Sequence, residues 1–108
     1  MSLNTIIRAA ITPIVPECVP DQYTGTATEY CVFEYGESPA FSADGAPLTI
    51  QYDITLHWYL PDGISPIAKK AQIKAALVAA GCSYPTVIPV GDVDGQHYAF
   101  DCIYTEVT

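Results

Sequence analysis

Basic residues are scarce in this 108-residue chain. Arg8, Lys69, Lys70 and Lys74 stand against twelve acids, giving a formal net charge of -8. A surface that grips nucleic acid neutralises phosphates with Lys and Arg, so direct nucleic-acid binding is not expected. An anionic membrane would repel the chain for the same reason. Long apolar runs are missing too: nothing approaches the roughly 20 apolar residues of a membrane span. The start, "MSLNTIIRAA", lacks the basic opening and long apolar core of a signal peptide. The chain is therefore expected in a cytoplasm. Cys18, Cys31, Cys82 and Cys102 form no C-x-x-C pair and no zinc-type spacing. In a reducing compartment they read as small buried hydrophobes. No G-x-G-x-x-G, P-loop or G-x-S-x-G occurs, so neither an enzyme nor a cofactor is expected. Internal repeats, linkers and low-complexity tracts are absent as well.

What the chain does have is apolar content. Half of its residues are hydrophobic and only 15% are charged, a balance that favours a packed core over disorder. Its length fits one domain, residues 1–108, able to bury a core without staples. Leu3, Ile7, Ala10, Ile11 and Ile14 recur at helical spacing, so a helix is predicted over 3–14, capped by Ser2 or Asn4 and ended by Pro13 and Pro16. A short edge strand is expected near Cys18. "EYCVFEYGE" alternates as a strand, and "SPAFSADGAP" reads as a loop turning at Asp44-Gly45.

The clearest pattern is "LTIQYDITLHWYL". Leu48, Ile50, Tyr52, Ile54, Leu56, Trp58 and Leu60 share one face; Thr49, Gln51, Asp53, Thr55, His57 and Tyr59 share the other. Such alternation implies a strand covered on one side. At roughly 3.3 Å per residue it would run about 40 Å, so it must bend or project as a hairpin arm. Ser65 and Pro66 open a second helix, predicted over 66–80, with Gly81 as its left-handed cap. Ile67, Ala71, Ala75 and Val78 are assigned to the sheet-facing side. Ile73, Leu77 and Ala80 then form a second stripe, a hypothetical subunit interface. Strands near 86–91 and 96–107 close the chain as a hairpin. The predicted fold is α+β: a mostly antiparallel sheet with two helices on one face and a long β-hairpin arm.

"DVDGQHYAFDC", residues 92–102, gathers three carboxylates, a histidine and a cysteine. It fails as an EF-hand, because Gly falls at position 4 instead of 6 and Ile103 stands at position 12. Asp94-Gly95 between alternating runs reads instead as a hairpin turn. Tyr98, Phe100, Cys102 and Tyr104 then share one face, and His97 and Asp101 the other, so Cys102 cannot pair with His97. His57 and His97 share a polar face, yet no third metal ligand sits at suitable spacing. Asp44, Asp53, Asp62, Asp92, Asp94 and Asp101 fall in turns or on polar strand faces. They serve solubility, or a surface that must not hold DNA.

"YCVFEYGESPAFSADGAPLTIQYDITLHWYLPDG", "KKAQIKAALVAAG" and "DGQHYAFDC", in that order, resemble the small tail-completion proteins of tailed phages and prophages, also called tail terminators or minor tail proteins. The resemblance spans roughly residues 28–106. It implies a structural virion protein, not an enzyme. In that family a homo-oligomeric ring, typically a hexamer, caps the tail tube, ends its polymerisation and offers a head–tail joining surface. The implied partners are other copies of the chain, the tail tube protein and a head–tail connector protein, with DNA passing through unbound and no membrane contact. The implied location is the virion tail, and the host bacterial cytoplasm during assembly. Within this frame Asp44, Asp53, Asp92 and Asp94 become a hypothetical acidic lumen. A head-completion or stopper protein at the same joint is one alternative; a small cytoplasmic binding module is another.

Overall fold

The computed structural model describes residues 2–43, 46–91 and 95–107. In chain order the elements are α1 (Leu3–Ile11), β1 (Cys18–Pro20), β2 (Tyr30–Ala43), β3 (Ala46–Leu60), α2 (Ile67–Ala79), β4 (Thr86–Pro89) and β5 (Gln96–Val107). The strands form one sheet in the order β1-β2-β3-β5-β4. Every pairing is antiparallel except β1 with β2, which is parallel. The α+β expectation holds. No helix is long and apolar enough to cross a membrane among the described residues.

Both helices lie on one face of the sheet, and the core sits beneath them. From α1 come Leu3, Ile7 and Ile11, each one turn after the last, so a single stripe is buried. Ser2 caps this helix by accepting from the Thr5 N–H at 3.3 Å. It ends at Ile11, earlier than predicted, and a tight turn brings Val15 into the core. The sheet contributes Cys31 and Phe33 from β2, Ile54, Leu56, Trp58 and Leu60 from β3, and Phe100 and Cys102 from β5. The alternation predicted for β3 is therefore observed from Ile54 to Leu60.

Trp58 is fully buried, and its ring N–H still finds a partner. It donates to Glu29 Oε2 at 3.2 Å, while Glu29 Oε1 accepts from Lys69 Nζ at 2.7 Å. This chain of contacts ties β3 to the start of β2 and to α2. A buried indole N–H left unpaired would cost about 1–3 kcal/mol, so Glu29 matters more as that acceptor than as half of a partly exposed ion pair.

The orientation of α2 corrects the expectation. Ile73 and Leu77 are the residues buried against the sheet, both at 0% exposure. Ile67 (76% exposed), Ala71, Ala75 and Val78 face outward instead. Ile73 and Leu77 are thus core residues and present no subunit interface. Bulk explains the choice. The gap between helix and sheet must be filled to close packing, and Ile73 with Leu77 fills it where Ala71 and Ala75 would leave a void. Lys69 and Lys70 flank this stripe. Lys70 lays its ammonium 4.5 Å from the centre of the Tyr98 ring, a cation–π contact that keeps the charge at the rim. The helix starts one residue late, with Pro66 in the cap position and no side-chain capping bond. It ends at Ala79, one residue early, with the predicted glycine cap: Cys82 N–H reaches back to the Leu77 carbonyl, and Gly81 takes φ +108, a conformation cheap only for glycine.

A second correction concerns 38–47, predicted as a loop. Strand β2 continues to Ala43 and pairs with β3 out to Ala43↔Ala46, with register shifts on either side of Phe41. Pro39 is tolerated because β2 has no partner on its other side there; β1 pairs only with Cys31, Val32 and Phe33. The bulges absorb the remaining mismatch. The Asp44-Gly45 turn itself, and the Asp92–Asp94 turn, lie outside the described residues. The expected projection is present. The molecule measures 54 × 25 × 24 Å, and β2, β3 and β5 run on together well past the last core residues as a three-stranded blade.

Candidate functional site

The helix-free face of the sheet brings two predicted neighbours into contact. In β3, His57 stands opposite Ala99 of β5, and His97 lies two residues away on the diagonal. Their rings meet with His57 Nδ1 2.8 Å from His97 Nε2. On its other side His57 Nε2 lies 3.4 Å from Glu34 Oε1 of β2. Glu34 was missed in the sequence, since its place beside His57 depends on the β2–β3 register. The geometry suits a hydrogen-bonded relay, not chelation: the two nitrogens of His57 point to different partners, so Glu34 and His97 cannot share an ion with it. Among the described residues no group of three His, Cys, Asp or Glu is placed to hold a metal.

An aromatic ladder runs from the histidines across the strands. His97 stacks on Tyr59 at 4.0 Å, Tyr59 on Tyr30 at 4.7 Å, and Tyr30 on Tyr23 at 4.2 Å between ring centres. Tyr23 is held over the loop by its hydroxyl, which accepts from Ala27 N–H at 2.8 Å. Gly25 makes room for this, because a Cβ there would sit 2.3 Å from the same hydroxyl. The ladder borders an open cleft of about 460 Å³ lined by Tyr30, Tyr59, Gln96 and His97. Its mouth is wide and its polar groups are engaged elsewhere: Gln96 donates to the carbonyls of Pro61 and Ile64. Convergent free polar groups, which a small-molecule site needs, are not evident there.

The blade is the larger anomaly. Its helix-side face continues the core with Tyr35, Tyr52 and Tyr104, of which Tyr52 and Tyr104 pack partly buried against the core and Tyr35 is 37% exposed. Tyr35 and Tyr52 meet edge-on at 5.6 Å, and Tyr52 and Tyr104 lie 6.4 Å apart. Tyr35 is anchored at its base, donating to Asn4 Oδ1 at 2.6 Å. Partial burial, reinforced by the Glu106 and Glu37 carboxylates, holds the Tyr52 hydroxyl above the usual phenol range. From Glu34 to Ala43, β2 also presents an open strand edge among the described residues.

The other predicted site residues are scattered. Asp53 is exposed on the blade's helix-free side. Asp101, further along that face, accepts from the Thr55 hydroxyl at 2.8 Å. Asp44, Asp92 and Asp94 lie outside the described residues. Ala80 lines a shallow apolar groove between α1 and α2, with Ile6, Ala10 and Ala76. A scan against protein-family models and a search of curated proteins both return no match to this chain.

Proposed function

We propose that this chain is a structural protein that self-associates into a ring and caps a phage tail tube. The observation that carries the reading is the blade. Three strands leave the core together, carry Tyr35, Tyr52 and Tyr104 only partly covered along the helix-side face, and, among the described residues, offer an unpaired edge on β2. A second copy that lends its own edge or core to this blade would complete both surfaces by sheet extension. Head-to-tail contacts of this kind form a closed ring when the rotation between copies closes. The resemblance of residues 28–106 to tail-completion proteins supplies the identity of the ring.

The charge supports the same reading. With a net charge of -8, a ring of such subunits would let DNA pass without capture. Asp53 is the described member of the proposed acidic lumen. Ile73 and Leu77 have no part in the subunit contact, and its surface moves to the blade and to the outward side of α2. The test is a tube-assembly assay. Added to polymerising tail tube protein, the chain should shorten the tubes in proportion to its concentration and bind at one end. Unchanged tube length and no bound protein would refute the assignment.

A further inference from the structure

All four cysteines of the chain fall into two facing pairs, although their sequence spacing shows no pairing. Cys18 of β1 is the register partner of Cys31 in β2. Adjacent strands run about 4.8 Å apart, inside the Cα separation of roughly 4.4–6.8 Å that disulfides span. The pair is locked in place on both sides: Cys31 N–H donates to the Glu17 carbonyl at 2.7 Å, and Asp21 N–H to the Phe33 carbonyl at 2.9 Å. The second pair forms where α2 ends. Gly81 turns the chain back toward β5, and Ser83 N–H donates to the Ile103 carbonyl at 2.8 Å. The Ser83 hydroxyl accepts from Ile103 N–H at 2.9 Å. Residues 82 and 102 are thereby set side by side. All four are buried free thiols.

We propose that Cys18 with Cys31, and Cys82 with Cys102, are two native modification sites: each pair forms a disulfide, with the native register kept, when local opening of the edge strand β1 or of the turn after α2 admits a low-molecular-weight disulfide such as oxidised glutathione. The inference goes beyond the ring reading and does not depend on it. In each pair the two thiols share a side-chain hydrogen bond, which favours ionisation of one of them. The Cys102 thiol donates to the Cys82 sulfur and holds it below the usual thiol range; burial opposes this, and Cys102 itself is pushed up. Cys18 is lowered in the same way by Cys31, with help from Arg8. In the reaction the Cys82 thiolate attacks one sulfur of the oxidant and expels the other as a thiolate, which takes up a proton. Cys102 then loses its proton and attacks the mixed disulfide, releasing the second thiol. Two protein thiols give up two protons and two electrons, and the oxidant becomes two thiols. Cys18 and Cys31 follow the same course. The bonds would tether the edge strand β1 to β2, and the end of α2 to β5.

The sequence makes the test simple. Trypsin cuts only after Arg8, Lys69, Lys70 and Lys74, so one peptide, 9–69, holds Cys18 and Cys31, and another, 75–108, holds Cys82 and Cys102. The folded chain is equilibrated in an oxidising glutathione buffer, alkylated, digested and weighed. Each peptide should lose two hydrogens and carry no alkyl group. Cys18→Ala should leave the oxidation of peptide 75–108 intact. Peptides 9–69 and 75–108 joined to each other would overturn the proposal. So would thiols that remain alkylated, or that carry only glutathione, while the urea-unfolded chain forms disulfides in the same buffer.

Discussion

Ile73 and Ile67 share a helix and a residue type, and their surroundings give them opposite weights. Ile73 is wholly enclosed between α2 and the sheet, and Ile67 is 76% exposed. Truncating a buried Ile or Leu removes its transfer energy and leaves a cavity. Ile73→Ala and Leu77→Ala should each lower stability by about 2–5 kcal/mol in urea unfolding. Ile67→Asp should stay within about 0.5 kcal/mol of the parent. Aspartate at 73 or 77 would bury an unpaired charge and unfold the domain, so those changes report on folding and say nothing of assembly. Equal stability losses at 67 and 73 would show that the helix faces have been assigned the wrong way round.

The blade is an element with two exposed liabilities, and soluble proteins seldom leave a long strand edge bare without covering or disrupting it. Amide hydrogen exchange can follow its fate. In the free chain, the amides of Glu34–Phe41 that point away from β3 should exchange fast, while those of Ile54–Trp58 exchange slowly. On assembly the fast set should become protected. Fast exchange persisting in the assembled state would remove the blade edge from the interface.

What was legible at this scale followed from parity. Strand β3 could be read from alternation alone, because a period of two assigns each residue to a face. The hairpin Cys102 and His97 faces were legible for the same reason. The side of α2 was not, since two apolar stripes offered two solutions and only the volume beneath the helix chose between them. Glu34 beside His57, and both cysteine pairs, depend on strand register or on the turn at Gly81. Residues far apart in the chain meet there, and no local pattern records it. The strand through Pro39 was hidden because proline and turn residues read as loop, whereas an edge strand with bulges accommodates them.

At the scale of the whole molecule, the dimensions of 54 × 25 × 24 Å describe a core at one end and a blade at the other. Tyr52 and Tyr104 pack partly buried against the core, while Tyr35 beside them is 37% exposed; in the proposed ring each blade would reach the next subunit. The acidic charge predicts a salt dependence: screening of like charges should favour assembly. The most direct measurement is the solution mass of the chain by light scattering behind a sizing column, alone and after mixing with purified tail tubes. The account predicts a discrete closed species of about six subunits, or its appearance on the tube ends when the tubes serve as template. A mass of 11.6 kDa under every condition, with no chain bound to tubes, would contradict it.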